Sequence, residues 1–211
     1  MSSPFQYACF VSYCHGQHAL VKTFVQQFKQ ALEAELEPLL DHGVYIDFER
    51  LEPGFRYNDE LGVAICRSLC MVVIFSPTYE DSPYCLREFE AMVRLESLRV
   101  QRLPGAGQRR GLIIPVVLRG ADSMPPQIRQ SRHYVDFSQF SLASAEIQRH
   151  PEYAAAMQRI ANTIYEHHLA FRDAGVDVCE ACDQFRLPAP DEVPRWRAAA
   201  RPWPPAFPSR S

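Results

Sequence analysis

Apolar positions along the first 175 residues follow two alternating patterns. Short runs rich in β-branched and aromatic residues predict buried strands, and longer stretches with apolar residues three or four positions apart predict helices. The predicted strands are residues 7–11, 44–48, 71–75, 112–118 and 134–137. The predicted helices are residues 17–40, 58–68, 83–100 and 151–173, with a turn or short helix at 125–129. Strands that alternate with helices in this way favour a parallel sheet with helices on both faces.

Turn-forming residues mark several of the predicted boundaries. Ser82 is a suitable N-cap residue, and Pro83 suits the first helical position, where no backbone N–H is needed. Gly43 and Gly175 are expected to end the helices that precede them. Pro115 removes a hydrogen-bond donor from the fourth strand, so we expect this strand to be interrupted or unpaired on one side at that position.

The composition changes after residue 175. Seven of the 17 prolines lie between residues 188 and 208, so regular helices and sheets are not expected there. Two alternatives are open for this segment: a disordered tail, or an extended arm held by Trp196 and Trp203. The two tryptophans favour a packed arm, on this domain or on a neighbour, because large aromatic side chains gain most from burial.

Net charge and hydropathy argue against a nucleic-acid-binding protein and against a membrane protein. A net charge of -3 gives no electrostatic reason to expect binding to nucleic acid or to an anionic membrane. No segment approaches the roughly 20 apolar residues of a transmembrane helix. The N-terminus also lacks the basic and apolar regions of a secretory signal, so we expect a cytoplasmic protein. The length of 211 residues suffices for one globular domain and an additional segment.

The chain has seven cysteines, and the five that precede the C-terminal segment are expected to be reduced. Five of them lie in or beside predicted strands and helices, where we expect mostly buried thiols: Cys9, Cys14, Cys66, Cys70 and Cys85. Cys179 and Cys182 form a single C-x-x-C pair. Together with His167 and His168 this pair would offer four zinc ligands, but no second C-x-x-C pair follows, and an incidental pair is favoured. We therefore expect no metal site.

Glu88 is the first candidate for a functional residue. Cys85, Phe89 and Met92 recur at helical spacing and form an apolar stripe, and Glu88 lies on its flank, one turn after Tyr84. We expect the Glu88 side chain at the border of core and solvent, close enough to the helix N-terminus to be kept ionised. The plainer alternative is a solvated helix glutamate. His15 is best explained as a surface loop histidine rather than an acid–base catalyst.

Around Glu88 the chain resembles the strand C to helix C segment of TIR (Toll/interleukin-1 receptor) domains. The family pattern is a serine after the strand followed by S-x-W-C-x-x-E-L. The matching residues here are Ser76, Tyr79, Ser82, Tyr84, Cys85, Glu88 and Phe89. Tyr84 stands where the family usually has tryptophan, and Phe89 stands where it usually has leucine.

Two further segments carry the same resemblance. Phe10-Val-Ser12-Tyr13 is similar to box 1 of TIR domains, usually F-(I/V)-S-(Y/H). Asp47, Leu51-Glu-Pro-Gly54 and Ile65-Cys-Arg-Ser68 match a strand that ends in Asp, a BB loop with L-x-x-G, and a helix that ends in I-x-x-S. Leu69 is expected on the apolar face of that helix.

The resemblance implies a flavodoxin-like α/β fold. Such a fold has a five-stranded parallel sheet in the order 2-1-3-4-5, and ligands bind at the switch point between strands 1 and 3. The Ser12-Tyr13 turn and the segment from Ser76 to Glu88 follow these two strands, so we expect them to converge. The TIR domain is expected at residues 5–172, followed by the proline- and tryptophan-rich tail or arm at 173–211.

The resemblance also implies an activity, because some TIR domains cleave NAD+ with the glutamate of this motif. Glu88 is then the expected catalytic residue, and NAD+ is a substrate rather than a cofactor. Residues expected to contact NAD+ are Phe10, Ser12, Tyr13, Asp47, Phe55, Arg56, Ser82 and Tyr84. One carboxylate suffices, because nicotinamide leaves as a neutral group and the sugar carries the developing positive charge. Water would give ADP-ribose, an internal nucleophile a cyclic isomer, and another base an exchange product.

Three functions are compared. The first is an NAD+ nucleosidase or cyclase that makes a nucleotide signal in bacterial antiphage defence of the Thoeris type, sensed by a downstream effector protein. The second is a non-catalytic TIR scaffold that self-associates through the BB loop, residues 49–57. The third is another flavodoxin-like module such as a receiver, which Ser12-Tyr13 disfavours because a receiver needs acidic residues there. The intact motif around Glu88 favours the enzyme.

Overall fold

The computed structural model describes residues 5–15, 19–47, 57–104, 111–130, 132–142, 147–175, 179 and 181–196. Five strands are present: β1 (Tyr7–Tyr13), β2 (Gly43–Ile46), β3 (Ser68–Phe75), β4 (Ile113–Val117) and β5 (Val135–Asp136). Five helices accompany them: α1 (Ala19–Leu36), α2 (Tyr57–Cys66), α3 (Pro83–Val100), α4 (Pro126–Arg129) and α5 (Pro151–Ala174). No helix within these ranges is long and apolar enough to cross a membrane.

The strands form one sheet in the order β2-β1-β3-β4-β5, and every neighbouring pair is parallel. The predicted flavodoxin-like α/β fold is thereby confirmed. β1 and β3 lie side by side in the centre, with Ser12 opposite Val73 and Tyr13 opposite Ile74. The carboxyl ends of these two strands therefore meet at the switch point of the sheet, where such folds bind ligands.

The central strands are buried on both faces because helices cover each side. All eight residues of β3 are buried. Helices α1 and α5 pack against each other, and α2 packs against α3. Because both faces of the sheet are covered, the strand sequences are continuous apolar runs rather than alternating apolar and polar residues.

β3 begins three residues earlier than the sequence predicted. The predicted helix at 58–68, with Leu69 on its apolar face, is wrong at its end: α2 stops at Cys66, and Leu69 lies within β3. Ser68 pairs with Tyr7 of β1, and the backbone nitrogens of Gln6 and Tyr7 donate to the carbonyl of Arg67. Sheet pairing therefore determines the conformation of a segment whose apolar spacing also fits a helix.

Pro115 behaves as predicted. β4 pairs with β3 through Val73 opposite Pro115, whereas its pairing with β5 involves only Val116 and Val117. The missing N–H of Pro115 thus faces the side where no partner strand is paired. Ser82 caps α3 and Gly175 ends α5 with a left-handed φ of 64°, as predicted. The prediction for Gly43 is wrong, because α1 already stops at Leu36 and Gly43 begins β2.

The C-terminal arm, defined here as residues 179–196, lies against α2 and α3. A disulfide joins Cys66 at the end of α2 to Cys182 of the arm. The prediction that Cys66 is a reduced thiol is therefore wrong, because the fold brings together two cysteines that are 116 positions apart. Trp196 is buried, and Trp203 lies outside the described residues.

Candidate active site

Glu88 points into the protein rather than toward water. Its side chain is 5% exposed, and its Oε2 accepts a hydrogen bond of 2.6 Å from Ser12 Oγ. Ser12 lies in β1 and is itself buried. The contact places the carboxyl group beside the carboxyl ends of β1 and β3, where the sequence predicted that the two motifs converge.

The start of α3 determines which side chains face inward. Ser82 has extended backbone angles, and its side chain accepts a hydrogen bond from the Cys85 backbone nitrogen at 3.3 Å. Pro83 occupies the first helical position, as predicted. With the helix fixed at this residue, Cys85, Glu88 and Phe89 are all buried, whereas Tyr84 is 53% exposed.

Tyr79 extends the contact between Glu88 and Ser12 into a hydrogen-bonded chain. Its hydroxyl lies 2.7 Å from Ser12 Oγ and donates to the backbone carbonyl of Cys85 at 3.1 Å. If Glu88 is protonated, Glu88, Ser12 and Tyr79 can each donate one proton to the next acceptor. If Glu88 is ionised, Ser12 donates to it, and the single proton of Tyr79 must serve two acceptors. Each acceptor in this series of hydrogen bonds therefore receives its own proton only when Glu88 is protonated.

The pKa of Glu88 is raised, which also favours the protonated form. Burial raises the pKa of Glu88 to about 8, with a further increase from Asp47 and opposing effects from the Ser12 hydrogen bond and Arg87. Glu88 is therefore mostly protonated at pH 7 in this structure, contrary to the expectation of an ionised glutamate at the border of core and solvent. The helix N-terminus has little influence, because Glu88 lies beyond the first turn of α3.

A second carboxyl group, that of Asp47, lies near enough to Tyr13 and Glu88 to affect the pKa of each. Asp47 follows β2, is 4% exposed, and has its Oδ2 3.4 Å from His15 Nε2. The imidazole of His15 stacks on the Tyr13 ring with centroids 4.5 Å apart. Burial raises the pKa of Tyr13 to about 12, and Asp47, Glu88 and Cys85 add to the increase. Tyr13 is therefore a neutral phenol near two carboxyl groups.

Two thiols adjoin the same turn. Cys85 Sγ donates to the Tyr13 backbone carbonyl at 3.4 Å. Hydrogen bonding from Cys85 lowers the pKa of Cys14 to about 6, helped by Thr78 and opposed by burial and Asp81. Both cysteines are reduced, as predicted, and Cys14 has the more acidic thiol of the two. Sequence reasoning missed this contact, because Cys14 and Cys85 come from different elements.

The structure brings together only some of the residues expected to contact NAD+. Ser12, Tyr13, Asp47 and Glu88 cluster at the switch point. Five further residues were expected to contact NAD+: Phe10, Phe55, Arg56, Ser82 and Tyr84. The side chain of Ser82 caps α3. Phe10 does not fit, because it has no exposed surface and stacks on Tyr45 inside the core at 5.2 Å. Phe55 and Arg56 lie outside the described residues, and Tyr84 projects outward near the start of α3.

The arm supplies contacts that sequence reasoning missed. Trp196 stacks on Tyr79 with ring centroids 5.7 Å apart and packs edge-on against Phe89 at 4.7 Å. Arg87 Nε donates to the carbonyl of Pro188 at 2.7 Å. The arm therefore covers the ring of Tyr79, which has no exposed surface. A tryptophan in a proline-rich tail was the only sequence signal for this contact.

A separate cleft of about 610 Å³ lies between the start of β4 and α5, and contains none of the residues predicted for the site. Its lining includes Arg132, whose guanidinium is bound to the Glu96 carboxylate at 2.6 and 2.8 Å. The positive charge of Arg132 is already neutralised by Glu96. The cleft also lies at the opposite end of the strands from Glu88. We therefore assign the candidate site to the switch point.

No group of three or more His, Cys, Asp or Glu residues suited to a metal ion occurs within the described ranges. Cys182 of the C-x-x-C pair is occupied in the disulfide, so the zinc alternative lacks one of its thiolates. The remaining chemistry at the switch point is that of a buried carboxyl group. Such a group can hold sugar hydroxyls and, once ionised, stabilise positive charge on an adjacent sugar.

Comparison with known proteins gives consistent results. A probable 2′ cyclic ADP-D-ribose synthase, BdTIR, from Brachypodium distachyon is 32% identical over 107 residues, which are 48% of this chain and 42% of the relative. The match thus spans about two fifths of the relative's length. The TIR domains of the activated Roq1 resistosome, which recognises XopQ, are 23% identical over 73% of this chain and 82% of theirs, with a TM-score of 0.41. A likeness at that score carries no argument.

The family model described as TIR domain matches residues 9–150, which is more than half of the chain. The match contains β1 to β5 and the residues around Glu88, and so agrees with the sheet order and with the switch-point site. The chain belongs to the TIR (Toll/interleukin-1 receptor) domain family.

Proposed function

We propose that the chain cleaves the bond between nicotinamide and ribose of NAD+, with Glu88 as the catalytic carboxylate. The observation that carries the proposal is the Ser12–Glu88 hydrogen bond, which holds a buried carboxyl group at the switch point of the sheet. The name of the Brachypodium distachyon relative, a probable 2′ cyclic ADP-D-ribose synthase, supports the same class of substrate.

The proposed reaction needs Glu88 in its ionised form. As the bond breaks, nicotinamide leaves as a neutral group, and positive charge spreads over the ribose carbon and ring oxygen. An ionised Glu88 stabilises this charge, and a buried site with few competing dipoles makes the stabilisation large. The positive nicotinamide ring of bound NAD+ favours the carboxylate, so binding is expected to drive the proton from Glu88.

The other site residues position the substrate in this proposal. Tyr13 and Tyr84 offer aromatic faces for the bases, and Ser12, Asp47 and Ser82 offer polar groups for the ribose or phosphates. Phe55 and Arg56 keep their proposed role in the BB loop. Phe10 is excluded from the set because it belongs to the core.

We further propose, from the sequence, that the protein is cytoplasmic and that it self-associates through residues 49–57. Its product would be an ADP-ribose-type signal in bacterial defence that an effector protein senses. The name of the Brachypodium distachyon relative favours a cyclic product over ADP-ribose. In a reducing cytoplasm the Cys66–Cys182 disulfide would be an exchangeable bond rather than a permanent one.

The test compares Glu88→Gln with Glu90→Gln in purified full-length protein. Glu90 lies two residues along the same helix, where it is half-buried and pairs with Arg94 at 3.4 Å. Wild type and Glu90→Gln should consume NAD+, and the products are resolved by mass spectrometry. Glu88→Gln should lose at least about a hundredfold in rate, in line with the removal of one charge-stabilising group.

Turnover retained in Glu88→Gln would reject the catalytic assignment. If the wild type self-associates but leaves NAD+ intact, the scaffold function is the one that stands.

A further inference from the structure

Three cysteines and one buried arginine form a cluster at the junction of α2 and the arm. Cys66 and Cys182 are joined by the disulfide, whereas Cys179 keeps its thiol. The thiol of Cys179 donates to the backbone carbonyl of Cys66 at 3.6 Å. The C-x-x-C pair is therefore divided, with one sulfur oxidised in a bond to α2 and the other reduced beside it.

Arg99 connects the sulfurs electrostatically. Its Nη2 lies 3.8 Å from Cys66 Sγ and 3.9 Å from Cys179 Sγ, and also donates to the carbonyl of Cys66. Its Nη1 donates to the carbonyl of Ser68 at 2.9 Å. The side chain is 2% exposed, and the contacts that it makes within the described residues go to carbonyl oxygens and sulfur atoms.

Among the described residues, the guanidinium of Arg99 has only neutral hydrogen-bond acceptors and sulfur atoms around it. Burial lowers the pKa of Arg99 to about 10, so the group remains charged at neutral pH, and its Nε has no hydrogen-bond partner among the described residues. A cation beside a thiol favours the thiolate, which is the reactive form in exchange. The anion that fits this position is a thiolate of Cys66 or Cys179.

We propose that Cys66, Cys179 and Cys182 form a thiol–disulfide exchange site in which the disulfide moves from α2 into the arm. The Cys179 thiolate attacks the sulfur of Cys182, a new Cys179–Cys182 bond forms, and the Cys66–Cys182 bond breaks. The electron pair goes to Cys66 sulfur, which leaves beside Arg99 Nη2 and takes up the proton that Cys179 gave up. The step consumes no oxidant or reductant.

The direction of attack follows from the position of Arg99. Attack on Cys182 expels Cys66, whose sulfur lies within reach of the guanidinium, and this lowers the cost of the leaving thiolate. The exchange unlinks the arm from α2, after which only non-covalent contacts hold it, among them Arg94 with Glu192 and Arg186 with Asp59. This inference goes beyond the proposed function, and its test involves no NAD+.

The peptide map distinguishes the two disulfides directly. Trypsin releases residues 57–67, with Cys66, and residues 173–186, with Cys179 and Cys182. After alkylation of thiols and digestion without reduction, Cys66–Cys182 appears as two linked peptides. Cys179–Cys182 appears as a single peptide two hydrogens lighter than its dithiol. Full-length protein in a glutathione buffer should give both products, and Cys66→Ser should give only the internal disulfide.

Kinetics of reduction test the role of Cys179. Cys66 and Cys182 are buried, whereas Cys179 is partly exposed, so exchange brings the disulfide to a sulfur that an external dithiol can reach. Dithiothreitol should reduce the cross-link at least about tenfold more slowly in Cys179→Ser than in the wild type. Cys9→Ala, which removes a buried thiol of β1, should leave the rate unchanged.

Two outcomes would overturn the proposal. One is a Cys66→Ser protein whose Cys179 and Cys182 stay reduced under the same glutathione conditions. The other is an equal rate of reduction in wild type and Cys179→Ser, which would mean that Cys179 takes no part in exchange.

Discussion

The carboxyl group of Glu88 combines two roles with opposite requirements. Packing in the free protein favours its protonated form, because burial and, to a smaller extent, Asp47 oppose ionisation more strongly than the hydrogen bond from Ser12 favours it. The proposed reaction requires the ionised form. The difference between these two states can be measured as stability and as rate.

Glu88→Gln should stabilise the protein at neutral and mildly alkaline pH. The pKa of Glu88 is raised from 4.5 to about 8 in the folded state, so folding binds a proton between these values, and stability from this group is lost as pH rises through them. Glutamine cannot ionise and avoids the loss, which is about 2–4 kcal/mol, or roughly 5–10 °C in Tm at pH 8. Thermal unfolding of wild type and variant at pH 5 and pH 8 provides the measurement.

The gain should fall below about 1 kcal/mol at pH 5, because wild-type Glu88 is then protonated in the folded state and close to its pKa of 4.5 in the unfolded state. An equal difference in Tm at both pH values would show that Gln acts through packing, and that ionisation of Glu88 is not the cause.

The pH dependence of turnover should show two different inflections. In the free enzyme Glu88 must lose its proton, so kcat/KM should rise about tenfold per pH unit below 8 and level off above it. Bound NAD+ carries a positive ring that favours the carboxylate, so kcat should level off at a lower pH. Initial rates from pH 5.5 to 9.5 test this, and identical inflections in both parameters would contradict it.

Glu88 shows how far sequence reasoning reaches at this scale. Its proposed catalytic role comes from its motif, and its nearness to Ser12 followed from the order of the strands. Its pKa depends on burial and on Asp47, which local spacing does not specify. Tyr79 was recognised in the motif but given no role, because the fold alone brings its hydroxyl to Ser12.

Among the secondary-structure elements, the arm supports α3 and the turn before it. Trp196 stacks on Tyr79, Tyr79 binds Ser12, and Ser12 binds Glu88, so the tryptophan acts on the carboxyl group only through two intermediate residues. Trp196 is therefore a positioning residue. Its removal leaves a void beside a fully buried tyrosine and frees the Tyr79 ring to move.

Trp196→Ala should lower kcat by roughly tenfold or more with little change in KM, and should shift the pH inflection of kcat/KM. Trp196→Phe keeps an aromatic ring against Tyr79 and should recover most of the rate. The readouts are steady-state kinetics across pH and far-UV circular dichroism, which should stay unchanged. If Trp196→Ala lowers only the fraction of folded protein, with the pH inflection unmoved, a positioning role is excluded.

The elements themselves were mostly predictable, and the exceptions have physical causes. The sheet order and four of the five principal helices followed from apolar spacing and from the resemblance. The end of α2 was misplaced because Ser68 and Leu69 fit a helix as well as a strand, and only pairing with Tyr7 decides between them. Arg99 was overlooked, although it lies seven positions after Met92 on the same buried stripe of α3.

For the whole molecule, the arm lies against α2 and α3, so association of two chains through the covered surfaces of these helices would have to displace it. Residues 49–57, the proposed contact, lie between β2 and α2. The Cys66–Cys182 disulfide escaped prediction because no local pattern connects residues so far apart in sequence.

Activity per enzyme molecule should increase with protein concentration if residues 49–57 of one chain complete the site of another. Association by mass action makes the active fraction depend on concentration. Initial rates across a hundredfold dilution should therefore rise more steeply than linearly, and Phe55→Asp should abolish the excess. Strict proportionality between rate and concentration would indicate a self-sufficient single chain.

The contact between Trp196 and Phe89 has a consequence for where the folding unit ends. The match to the TIR family model ends at residue 150, but the side chain that packs on Tyr79 and Phe89 lies 46 positions further on. A chain shortened to the matched residues is expected to expose these aromatic rings to water and to aggregate. The family match therefore ends before the last residue that the aromatic packing around Tyr79 requires.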